Sequence, residues 1–145
     1  MSEKDHVRPT YGAGPLVVNG RVVHHLDELS DREFLSLVGK RTGMYIGRTT
    51  LGGVKGLLIG YDIGARRNGG PGLGGFREWL MANYEVASNL TWEAQIERLA
   101  LPDRQAGVPL TQTQEDRVIT MTFELLDMFL AERETTSPPS QGQKP

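Results

Sequence analysis

Residues 51 to 67 carry two superimposed patterns that restrict what this chain can fold into. Leu51, Val54, Leu57, Leu58 and Tyr61 recur at three- and four-residue spacing, one apolar stripe on a helix. Glycines at 52, 56, 60 and 64 recur once per turn along the same helix. The stripe demands a core to pack on. Each glycine costs the helix roughly 0.5–1 kcal/mol against alanine. A bare face is useful where another backbone comes close. Two readings stay open. One is a close crossing within the chain, against the terminal helix, and this is the simpler expectation. The other is a homodimer or partner interface through Gly52, Gly56, Gly60 and Gly64.

The remaining signals predict a mainly α fold, four to five short helices in one domain with an N-terminal β-hairpin. Asn19-Gly20 between two β-branched runs predicts a hairpin over 16–24, because a type I′ turn needs positive φ at both central residues. Ser30 with Glu33 reads as a capping box and opens a helix over 31–39. Thr49 or Thr50 caps the glycine-bearing helix, over 50–67. Arg66 and Arg67 suit the negative end of its dipole. NGGPGLGG (68 to 75) is a connector. Helices follow over 76–84, 91–100 and 112–133, the last opened by Thr111 with Gln114. Two adjacent apolar rows, Val118, Met121, Leu125, Phe129 and Ile119, Phe123, Leu126, Leu130, place that helix at the centre of the core. The domain thus runs over 15–133, between a disordered arm (1–14) and a disordered tail (134–145).

Composition excludes whole chemistries. There is no cysteine, so disulfides, thiolate zinc sites and cysteine nucleophiles are absent. No apolar run approaches the roughly 18–20 residues of a membrane span, and the first residues hold no signal core, so a cytoplasmic protein away from membranes is expected. His24-His25 on a strand would point to opposite faces and cannot chelate one ion. The glycine-rich connector lacks the Lys-Ser/Thr of a phosphate loop. No nucleophile–base set is present either. The reading is of no cofactor, no metal and no catalytic residue.

Arg41 to Gly47 (RTGMYIG) resembles the RPGMYIG string of gyrase-type ATPases. In that family the following helix bears a glutamate that activates water and an asparagine that holds magnesium. Here residues 51–67 contain neither; Asp62 is their sole acid, and Thr42 replaces the proline. Without a base or a metal holder, phosphoryl transfer has nothing to act with. GMYIG, LIGYD, GFREWL (75 to 80), SNLTW (88 to 92), LALPD (99 to 103) and LLDMFLAERE (125 to 134) together resemble a group of small uncharacterised bacterial proteins, mainly actinobacterial. The likeness spans residues 32–134. It implies a common fold and no known activity; small bacterial proteins of this look include immunity or accessory partners of toxins.

Charge is lopsided: residues 1–77 hold 11 Lys/Arg and 7 Asp/Glu, residues 78–145 hold 5 and 11. The leading expectation is a non-catalytic protein-binding protein of the immunity-like or accessory type. A basic protein would dock on Glu85, Glu93 and Glu97, with Trp92 as an exposed aromatic anchor. A second expectation is nucleic-acid binding through the basic stretch 40–67, including Arg41 and Arg48, with Tyr45 and Tyr61 among the cations. A third is an enzyme with an unfamiliar site formed by Tyr45, Arg48, Tyr61 and Asp62.

Overall fold

A computed structural model describes residues 16–42 and 49–136. It is mainly helical, with five helices behind an antiparallel two-stranded hairpin. The hairpin pairs β1 (Leu16–Val18) with β2 (Arg21–Val23), in the register Leu16↔Val23, Val17↔Val22 and Val18↔Arg21. Asn19 (φ 49°) and Gly20 (φ 82°) supply the positive dihedrals of the tight turn. A short 3₁₀ turn, Leu26–Glu28, leads into α1 (Asp31–Lys40). Both halves of its capping box form: Ser30 Oγ accepts from Glu33 N at 3.1 Å, and Glu33 Oε1 accepts from Ser30 N at 3.0 Å.

The same glutamate holds the hairpin. Arg21 donates to both Glu33 carboxylate oxygens, at 2.6 and 2.8 Å, and Asn19 Nδ2 donates at 2.7 Å. These partners, Arg21 first, hold the Glu33 carboxyl well below the usual carboxylate range.

The other helices are α2 (Leu51–Arg67), α3 (Phe76–Asn83), α4 (Trp92–Ala100) and α5 (Gln112–Thr136). Thr50 caps α2 and Thr91 caps α4. Thr111 and Gln114 exchange hydrogen bonds of 2.9 and 3.1 Å at the start of α5. Helices α1, α2, α3 and α4 all pack on α5. Its buried residues include Val118, Ile119, Leu125, Leu126, Phe129 and Leu130, drawn from both apolar rows, which is why it is central. Phe76 and Leu80 of α3, Ile96 of α4 and Leu58 of α2 are fully buried around it.

One boundary differs from expectation by more than a residue. Helix α5 runs three residues past 133, because the Thr135 and Thr136 hydroxyls donate to the Glu132 carbonyl and satisfy the helix end. The expected arm, 1–14, lies outside the described residues.

Candidate functional site

The expectation that the glycine ladder packs against the terminal helix is overturned. Helix α5 meets α2 on the side of Leu51, Val54 and Leu58, all buried. At 100° per residue, Gly52 and Gly56 lie about 160° around the axis from Val54. A Cβ added at Gly52, Gly56, Gly60 or Gly64 would meet no heavy atom of the described residues within 4 Å. The close crossing on α5 is made by α1 instead: a Cβ on Gly39 would sit 2.8 Å from Phe123 Cγ.

On the same outer face of α2, Ile59 is 40% and Ile63 54% exposed. Gly52, Gly56, Ile59, Gly60 and Ile63 therefore form one helical strip of bare backbone flanked by apolar side chains. The helix under it is well fixed. Thr50 Oγ1 accepts from Gly53 N at 3.0 Å, and Glu115 of α5 accepts from Leu51 N at 2.9 Å. The first turn of α2 holds no acid of its own, so Glu115 places the negative charge that the helix N-terminus favours.

Of the four residues of the expected enzyme site, Tyr61 and Asp62 are described. Tyr45 and Arg48 lie outside the described residues. Tyr61 is half-buried and stacks on Phe34, ring centroids 6.1 Å apart. Its hydroxyl is buried without a hydrogen-bond partner among the described residues; burial first, then the nearby Asp31 carboxylate, push its pKa up. A phenol raised in this way is a poor proton donor or base at neutral pH. Asp62 works as a clamp: its Oδ1 accepts from Leu73 N and from Arg66 Nε, each at 2.8 Å. Arg133 adds a bond of 2.8 Å to the Gly72 carbonyl. The 68–75 connector is thus pinned from two sides, and Leu73 in it is buried.

The expected acidic docking residues differ in exposure and partners. Trp92 is half-buried, its ring centroid 5.5 Å from that of the fully buried Phe76, so it belongs to the core. Glu97 is held by Lys55 at 2.9 Å and by Arg104 at 3.4 Å. Glu85 is exposed and Glu93 half-buried. Trp92 is thus only partly exposed, and Glu97 is already engaged.

In the basic stretch, Arg48 lies outside the described residues. Lys55 is spent on Glu97 and Arg66 on Asp62, while Arg41 sits at the end of α1 and Arg67 at the end of α2. Among the described residues no three His, Asp or Glu side chains converge to hold a metal ion, and no helix is long and apolar enough to cross a membrane.

No known protein family, curated protein or solved structure matches this chain. Its functional reading therefore rests on geometry. Ile59 and Ile63 were missed by the sequence reading. A helical-wheel projection carries the signal, since both fall opposite the Val54–Leu58 stripe.

Proposed function

We propose that this chain is a non-catalytic binding protein, and that it docks another protein chain on the glycine–isoleucine face of α2. The open space above Gly52, Gly56, Gly60 and Gly64 carries the reading. Alanine would fit at each position, so the folded monomer gains nothing from glycine there. Four helical glycines together cost roughly 2–4 kcal/mol against alanine. A partner backbone that lies close over the helix offsets that cost, and Ile59 and Ile63 supply the apolar contact beside it. A second copy of the chain is one such partner.

The test is Gly56→Leu, read twice. In sedimentation over a range of protein concentrations, and in capture from native lysate at low and high salt, the natural chain is expected to retain a partner that the variant loses. Helicity and melting temperature should hold or rise in the variant. Retention of the same partners with the same affinity would sink the proposal.

A further inference from the structure

A second surface lies between the hairpin and α1. A cleft of about 480 Å³ is lined by Leu16, Val17 and Val18 on one side and by Ser36, Leu37 and Lys40 on the other. No residue of β2 borders it, so the cleft lies along the outer edge of β1. In a two-residue hairpin the pair flanking the turn, Val18↔Arg21, is hydrogen-bonded, and the bonding alternates from there. Val17 is then the non-bonded position. Its N–H and C=O point away from β2 and have no hydrogen-bond partner among the described residues.

The hairpin is fixed to α1 through its turn end, where Asn19 and Arg21 reach Glu33. That anchorage holds the strand edge in place while the described residues leave the gap beside it unfilled. Length and charge then describe what fits. Arg32 and Lys40 mark the two ends of the α1 wall, eight residues and about 12 Å apart along the axis. Three or four extended residues, at about 3.3 Å each, span that distance. At one end Arg32 is already paired with Asp127, at 2.7 Å, and Glu134 adds negative charge. At the other end stands Lys40.

We propose that this cleft binds an extended segment of a partner protein by strand addition to β1, with an acidic side chain toward Lys40 and a basic one toward Glu134. The Val17 N–H and C=O take the main-chain bonds, as strand addition at a free sheet edge requires. Selectivity comes from the charged ends of the wall. The surface is separate from the α2 face, so the two proposals fail independently.

The probe is a random heptapeptide library displayed on phage and selected on the immobilised full chain. Selected sequences are then made as synthetic peptides, with and without N-methylation of the central residue. Two variants of the chain complete the set. Val17→Pro deletes only the outward N–H, which an edge strand tolerates. Lys40→Glu reverses one end of the wall. Selected peptides should place an acid at one end. They should bind Val17→Pro, and bind in N-methylated form, about tenfold more weakly, as the loss of a hydrogen bond predicts. Lys40→Glu should weaken acidic peptides selectively. In the natural chain the Val17 amide should exchange fast with solvent and become protected on adding peptide, a readout that does not depend on the variants folding. No enrichment, or binding indifferent to Val17→Pro and to N-methylation, would overturn the proposal. So would a Val17 amide already protected in the free chain: protection at all dilutions would assign the cleft to the chain's own residues, and protection only at high concentration to a second copy.

Discussion

Gly39 and Gly56 are the same residue type in neighbouring helices, and the fold uses them in opposite ways. At Gly39 the missing side chain lets α1 settle on the Phe123 ring of α5; at Gly56 none of the described residues occupies the space. Gly39→Ala should therefore destabilise the protein by about 1–2 kcal/mol, overpacking outweighing the gain in helix propensity. Urea unfolding checks it: a midpoint equal to or above that of the natural chain would mean that Phe123 swings aside at no cost. Glu33 shows how much one side chain can join, since it closes the α1 cap and anchors the hairpin through Arg21 and Asn19. Ser30 with Glu33 was legible as a cap because both partners lie within one turn. The link from Glu33 to Arg21 was not, because twelve residues of unknown path separate them.

At the scale of the element, α2 has its core face and its bare face on opposite sides, and this contrast yields a stability test independent of any partner. Gly56→Ala and Gly60→Ala enter open space. Each should raise helix stability by roughly 0.5–1 kcal/mol, which lifts the melting temperature by about 2–6 °C in a domain of this size. Unchanged or lower melting temperatures in a dilute, monomeric sample would mean that the glycines serve the monomer after all. Element positions were largely readable in advance, because caps and apolar periodicity are local: Thr50, Thr91 and Thr111 each stand where a helix begins. Which neighbour a face meets is not local. The sequence pointed the glycines of α2 at α5, and the contact went to Gly39 because Leu51, Val54 and Leu58 already occupied the α5 side. Trp92 failed for a similar reason. A tryptophan at a helix start can face either way, and the fully buried Phe76 drew it inward.

Across the whole molecule, the charge asymmetry of the sequence is spent on joining its halves. The basic first half meets the acidic second half at Arg32–Asp127 and Lys55–Glu97, and the reverse pair Asp31–Arg133 binds the same two regions. Part of the surplus that suggested a charged partner is thus used between elements, α1 with α5 and α2 with α4. The pairs are partly exposed, so each contributes modestly and is screened by salt. Their pH dependence has a definite sign. Asp127 is held below its ordinary value mainly by its hydrogen bond to Arg32, and Glu33 by its bond to Arg21. Unfolded carboxyls titrate near pH 4, at about 3.9 for Asp and 4.3 for Glu. Below that range the unfolded chain takes up protons that the folded chain still refuses, so stability is lost as pH falls. The stabilisation is fully present above about pH 5 and disappears as pH drops through the lowered folded values. Melting temperature should therefore be flat from pH 7 to 5 and fall steeply from pH 4 to 2. Glu33→Gln with Asp127→Asn should start lower at pH 7 and show a shallower fall. Equal slopes in the variant and the natural chain would place the acid sensitivity in other carboxylates.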